Sequence, residues 1–167
     1  MVRSGVSWEE APRRLFGGRG SFGNGAAMRV APLALLFHQS LEELREVVSQ
    51  ASQITHTHPL GVEGAVLQAY AIALSLRATP SSFDPLNFLE AVAQAAREAV
   101  YAEKLSTAQK LLEQRAERAE VVRRLGNSVE AFNSVPTAIF CFAKNYESAI
   151  DAIAYAISLG GDADTIG

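Results

Sequence analysis

A single cysteine, Cys141, is all the chain has. No disulfide can form within it, and a reduced, intracellular setting is the expectation. Charge of one sign is also scarce: 15 Lys and Arg stand against 18 Asp and Glu, a formal net charge of −3. A protein that coats duplex nucleic acid needs a basic face to neutralise phosphates, so direct nucleic-acid binding is not expected. No apolar run approaches the ~20 residues of a spanning helix, and no membrane partner is expected. Residues 1–14 lack the apolar core of a secretory signal. Arg3, Arg13 and Arg14 point towards a transit peptide, which Glu9, Glu10 and the early glycines oppose. Repeats and low-complexity segments are missing, and no stretch alternates as a strand does.

What is present is one domain of helices behind a glycine-rich head. Gly17, Gly18, Gly20, Gly23 and Gly25 fall within nine residues, which predicts a loop. A first helix over residues 26–38 is apolar nearly all round, implying burial; Pro32 predicts a kink or a later start. In the second helix Ser40 and Glu43 form a capping-box pair. Leu41, Leu44, Val48, Ala51 and Ile54 make its apolar stripe, opposite Glu42, Arg45, Glu46 and Gln50. Residues 62–76 repeat the pattern through Val66, Tyr70, Ala73 and Leu74. Asp84 before Pro85 starts another helix, with Leu89, Val92, Ala96 and Val100 as its stripe. The highly charged stretch over 107–124 has Leu111, Leu112, Ala119 and Val122 on its thin apolar side and is stopped by Gly126; the charged run over 103–124 reads as a solvated face. Pro136 opens a helix through Ile139, Phe140 and Phe142, and a last helix carries Ile150, Ile153 and Ile157. The fold class is all-α, with functional groups on the loops.

Four loops hold groups that carry chemistry. The glycine head, with Phe16 and Phe22, lets backbone N–H groups approach an anion and offers flat faces to a base. It matches neither the Walker loop nor the dinucleotide fingerprint, and a flexible linker with two tucked aromatics is slightly favoured on spacing alone. His56 and His58 resemble a metal pair, but polar loop residues satisfied by backbone are the better reading; a single histidine donating to a ligand lies between. Residues 126–129 (GNSV) read as helix-ending turn chemistry. Asp162, Asp164 and Thr165 crowd three oxygens into four positions, suited to magnesium or calcium or to capping a helix.

Three motifs stand in order: residues 20–29 (GSFGNGAAMR), 125–139 (LGNSVEAFNSVPTAI) and 158–166 (SLGGDADTI). With residues 54–56 (ITH) and 61–69 they resemble the ADP-ribosylglycohydrolase family, nearest the branch that removes serine-linked ADP-ribose. The resemblance covers residues 16–167; residues 1–15 form a poorly defined head. It implies an orthogonal helical bundle, here truncated, with a binuclear Mg2+ centre at the bottom of an ADP-ribose cleft. Asp162, Asp164 and Thr165 match half of the metal ligands. Gly20, Ser21 and Phe22 match the diphosphate and ribose loop, with Phe22 where the family has tyrosine. Phe16 matches an aromatic beside the adenine, His56 a ligand-contacting histidine, and Val129 an aliphatic residue on the adenine side. The family's acidic catalytic residue and its other metal ligands have no match here, so no catalytic residue is assigned. The expectation is a fragment, inactive alone, of a monomeric hydrolase acting on ADP-ribosylated proteins and ADP-ribose linkages in nucleus, cytoplasm and mitochondrial matrix. The alternative is a non-catalytic ADP-ribose-binding or helical interaction fragment.

Overall fold

The computed structural model describes residues 5–167, so Arg3 lies outside the described residues. Among them no strand occurs, and the chain is helical throughout. A 3-10 segment over Pro12–Gly18, broken at Leu15, Phe16 and Gly17, gives the head more order than its composition predicts. A second 3-10 helix, Asn24–Arg29, leads into α1 (Ala31–Phe37). The later start that Pro32 allowed is the one seen, because proline fits only the first turn. The predicted all-round burial fails. Ala26, Ala27, Val30 and Ala34 face inward, while Met28, Leu35 and Leu36 are exposed.

Next come α2 (Leu41–Gln53), α3 (Pro59–Arg77), α4 (Pro85–Ala95) and α5 (Ala99–Glu113). The rest is α6 (Arg118–Leu125), α7 (Ala131–Lys144), α8 (Ala149–Ser158) and the short α9 (Ala163–Ile166). Half of the capping box is made: Ser40 Oγ accepts from the Glu43 N–H at 3.3 Å, but the Ser40 N–H donates to Phe37 O instead. Asp84 caps α4 as predicted, accepting from Leu86 N and Asn87 N at 2.8 and 3.0 Å.

The packing centres on α3 and α7, which touch each other and most of the remaining helices. By length and composition α3 does reach what a spanning helix needs: 19 residues with a mean hydropathy of 1.3 in its best window. Its apolarity is that of a core helix, 56% of that window being buried inside the fold. Ala65, Val66, Leu67, Ala69 and Ala73 are fully buried, and so is the carboxylate of Glu63. Arg45, expected on the wet face of α2, lies inside and meets Glu63 at 2.8 Å. Its second arm donates to Ala95 O, and Glu63 also accepts the Arg97 N–H. This network sits where the predicted long stripe breaks between α4 and α5, so Val100 belongs to the later helix.

The charged run is likewise two helices, joined through Arg115 at a φ of 49°. Leu111 is fully buried as predicted and Leu112 and Val122 are half-buried, but on α6 the buried side chains are Val121 and Leu125, and Ala119 is exposed. Pro136 lies inside α7 rather than opening it; that helix starts five residues earlier, at Ala131. On α8 the three isoleucines point outward, with Ile150 80% exposed. Cys141 is buried, and burial pushes its thiol up to about 12.

Candidate functional site

Four loops converge at one end of α3: residues 16–25, 54–58, 126–130 and 160–165. The glycine head is pinned first. Gly20 has a φ of 74°, and a Cβ there would lie 2.7 Å from the His58 backbone nitrogen, besides striking Thr57. Opposite it, a Cβ on Gly61 would lie 2.6 Å from Ser21 O. The loop therefore rests directly on the start of α3, and glycine is required on both faces of the contact. Phe22 O accepts the Ala131 N–H, and the Asn24 N–H donates to Val129 O. This pairing, an isolated antiparallel bridge between Gly23 and Glu130, ties the head to the start of α7.

Within the loop, Ser21 Oγ accepts the Gly23 N–H at 3.2 Å. Among the described residues no acceptor meets the N–H of Ser21 or Phe22. Two successive donors without a partner are of the kind that can meet an anion. The Phe22 ring packs edge-on against His58, centroids 5.4 Å apart, and near Phe132. Phe16 stands at the rim, 62% exposed, and is the ring left open to a base.

The histidines separate by role. His58 Nδ1 accepts the Leu60 N–H and caps α3. His38 bonds Leu35 O and Gln39. His56 faces the glycine loop further along: its ring edge would touch a Cβ on Gly25 at 3.1 Å. Thr55 Oγ1 bridges its Nδ1 at 2.7 Å to Arg29, which donates at 2.6 Å. Burial and the Arg29 charge hold the His56 imidazole below its ordinary value, so at neutral pH it is uncharged.

The 126–130 turn does more than end a helix. Asn127 O accepts the Asp162 N–H at 2.8 Å, and Asn127 Nδ2 donates to Leu159 O. Gly161, at a φ of 69°, lies so close to Asn127 that any Cβ would overlap it. Beneath the turn Lys104 donates to Leu125 O at 2.5 Å and to Asn133 Oδ1. Ser128 donates to Glu130, whose carboxyl is held below its usual range by that bond and a backbone N–H. Val129 is thereby presented 59% exposed. Lys104 belongs to the run expected to be solvated; burial lowers its pKa.

The two ends of the chain meet here. Asn24 Nδ2 donates to Asp162 Oδ2 at 2.5 Å, across 138 residues of sequence. Thr165 Oγ1 lies 3.8 Å from Met28 Sδ. Gly20, Ser21, Phe22, His56, Val129 and Asp162 thus share one locality, with Phe16 at its edge and Asp164 exposed beside it. Asn24 and Asn127, which hold the carboxylate segment, are the positions that sequence reasoning passed over. Each stood inside a quoted motif, and Asn127 also within the 126–129 turn read only as helix-ending chemistry.

A hard cation takes several oxygen ligands. Asp162, Asp164 and Thr165 are of the right kind but too few to close a site. One oxygen of Asp162 is already engaged by Asn24, and among the described residues no three His, Cys, Asp or Glu side chains come together. By chemistry the two carboxylates and the hydroxyl suit a hard cation, as part of a ligand set.

The family model described as ADP-ribosylglycohydrolase matches residues 1–167. ADP-ribosylhydrolase ARH3 from Bos taurus is 38% identical over 183 aligned positions, covering 94% of this chain and 50% of the bovine protein. ARH3 from Homo sapiens is 38% identical with the same coverage. An uncharacterized protein from Archaeoglobus fulgidus is 34% identical over 146 positions, covering 85% of this chain and 45% of its own. The chain spans about half the length of these relatives.

Proposed function

Because the chain belongs to the ADP-ribosylglycohydrolase family, we propose that its loops serve a magnesium-dependent hydrolase that releases ADP-ribose from modified serine residues. The observation that carries this reading is the Asn24–Asp162 hydrogen bond, which joins the anion-binding loop to the acidic segment. Ser21 and Phe22 N–H groups bind the diphosphate, worth most where the anion is partly withdrawn from water. Phe16 and Val129 flank the adenine. Neutral His56 donates a hydrogen bond to the ligand without adding charge. Asn24 holds one oxygen of Asp162 and leaves the other free. Magnesium, when bound by Asp162, Asp164 and Thr165 with ligands from elsewhere, supplies positive charge that orients sugar hydroxyls. The nucleus, cytoplasm and mitochondrial matrix are the proposed compartments, and a monomer the proposed state.

The test has two arms. Calorimetry of the 167-residue chain with ADP-ribose is expected to show binding that Ser21→Pro removes by taking away one N–H. Incubation with a serine-ADP-ribosylated peptide and magnesium is expected to release no ADP-ribose, because the oxygen set is partial and no catalytic acid is assigned. Absence of binding at millimolar ligand overturns the site; release by this chain alone overturns the partial-site reading. The contrast between a well-pinned cradle and an open carboxylate set also favours a second reading, an ADP-ribose binder without hydrolysis. That reading gains if magnesium changes neither ADP-ribose binding nor the stability of the chain.

A further inference from the structure

Outside this site, among the described residues, a trough of about 630 Å³ lies between the head and the end of α2, lined by Ser7, Trp8, Glu9, Glu10, Arg13, Gln50 and Gln53. A second hollow of about 330 Å³ shares Arg13 and Gln53 with it and continues past Arg19 to Thr57. Thr57 is the residue against which Gly20 of the anion loop is packed. The two hollows therefore adjoin at Arg13 and Gln53, and the second reaches Thr57 beneath the glycine loop.

The lining is unlike the adjoining surface. Trp8 is the only tryptophan in the chain and stands 58% exposed, an open flat ring where most single apolar side chains are aliphatic. Arg13 and Arg19 make no ion pair among the described residues, whereas neighbouring Arg14 is bound to Glu10 at 2.5 Å. Arg19 is steadied by its own contact with Phe16 O at 3.4 Å. Gln50 and Gln53 present amides from a rigid helix, and Glu9 presents a free carboxylate. Stacking ring, two cations for phosphate, amides for a base edge and a carboxylate for sugar hydroxyls make the set a nucleotide demands. A peptide would find no apolar pocket here beyond the one ring, and a bare anion would have no use for it.

We propose that this trough is a second nucleotide subsite, contiguous with the anion loop, in which Arg13 and Arg19 hold a phosphate and Trp8 stacks on the base. It rests on the reading that the loop itself holds ADP-ribose.

The lone tryptophan gives a direct readout. The full chain is first saturated with ADP-ribose, followed by calorimetry, and then titrated with AMP while Trp8 fluorescence is recorded. AMP is expected to quench Trp8 saturably with the loop already filled, and inorganic phosphate is expected not to. Arg13→Ala is expected to weaken AMP about fivefold, and Trp8→Ala, read by calorimetry, about tenfold, each leaving ADP-ribose affinity unchanged. No quenching, quenching abolished by ADP-ribose, or equal AMP affinity in the Trp8→Ala protein overturns the subsite while leaving the loop assignment intact. Failure of ADP-ribose to bind, with AMP still quenching Trp8, overturns the loop assignment instead and confines the nucleotide to the trough.

Discussion

The two sides of the site are built by opposite means. The anion loop lies on the first turns of α3, so close that glycine is needed at residues 20 and 61, and it is bonded through Phe22 and Asn24 to the start of α7. Its shape follows from the hydrophobic core beneath it. The carboxylate segment hangs on the two asparagines, Asn127 at its backbone and Asn24 at its side chain, and α9 behind it has four residues. A surface set by core packing is rigid before any ligand arrives. A surface held by a few polar contacts takes its geometry from whatever else binds there. On the proposed reading, the difference teaches that this chain positions a ligand more firmly than a metal.

The sharpest way to separate the two sides is to strike the core below the loop. Glu63 lies two residues from Gly61, with Arg45 buried against it and Arg97 N–H donating to it. Removing one partner strands the other charge in the interior, which costs about 3–5 kcal/mol. Glu63→Ala is expected to lower stability by that amount in urea unfolding and to weaken ADP-ribose with it. The double change Arg45→Met with Glu63→Leu is expected to recover most of the loss. If Glu63→Ala unfolds the chain no sooner than wild type, the loop does not depend on the core as argued.

A smaller blow falls on the loop itself. Gly61→Ala puts a methyl where Ser21 O lies 2.6 Å away. The neighbour is backbone and gives way only by moving the loop off α3. About 1–3 kcal/mol of overpacking is expected, with ADP-ribose affinity falling further than stability does. Equal losses in both would mean that Gly61 serves folding alone.

Smaller still is the join between the sides. Asn24→Leu removes the donor to Asp162 Oδ2, a charge-assisted bond in a half-open setting worth about 1 kcal/mol. Magnesium reports on the same contact. With a partial oxygen set the wild-type chain is expected to bind it weakly, near-millimolar ion raising stability by about 0.4 kcal/mol when its concentration equals the dissociation constant. Asp162→Ala and Asp164→Ala are each expected to erase that gain in thermal melts, while ADP-ribose binding to the loop persists. Tight magnesium binding by this chain would end the contrast drawn above.

Much of this was legible in the residues, and what was not has physical reasons. Asp84–Pro85 gave a helix start because capping and proline act within a few residues, and the ordered motifs gave family and fold. The Arg45–Glu63 pair was invisible because a charged residue at helical spacing reads as a wet face unless its partner on another helix is known. Pro136 misled because proline marks a first turn on average, whereas here it lies inside α7, buried in the core. Ile150, Ile153 and Ile157 show the limit of periodicity: it finds a face and does not say what the face meets. Asn24 and Asn127 were passed over for the same reason, since an amide's role is fixed by what it reaches across the fold.

The smallest expected effect is a pH dependence on the loop side alone. His56 lies half-buried between Arg29 and the glycine loop, and both burial and that charge lower its pKa from the ordinary value of about 6.5. In the unfolded chain the imidazole takes up a proton near that value, while the folded chain resists it. Protons therefore favour the unfolded state as pH falls below about 6.5, and the contribution of His56 to stability is full above that pH and lost on acidification. ADP-ribose affinity follows a different course, because a charged His56 still donates a hydrogen bond to an anion. His56→Gln is expected to flatten the stability profile between pH 7 and 5 relative to wild type, read by urea unfolding at each pH, while Asp162→Asn leaves that difference in place. A wild-type profile that rises on acidification would mean that His56 is better paired when charged, and that the loop side offers it an acceptor in place of the arginine.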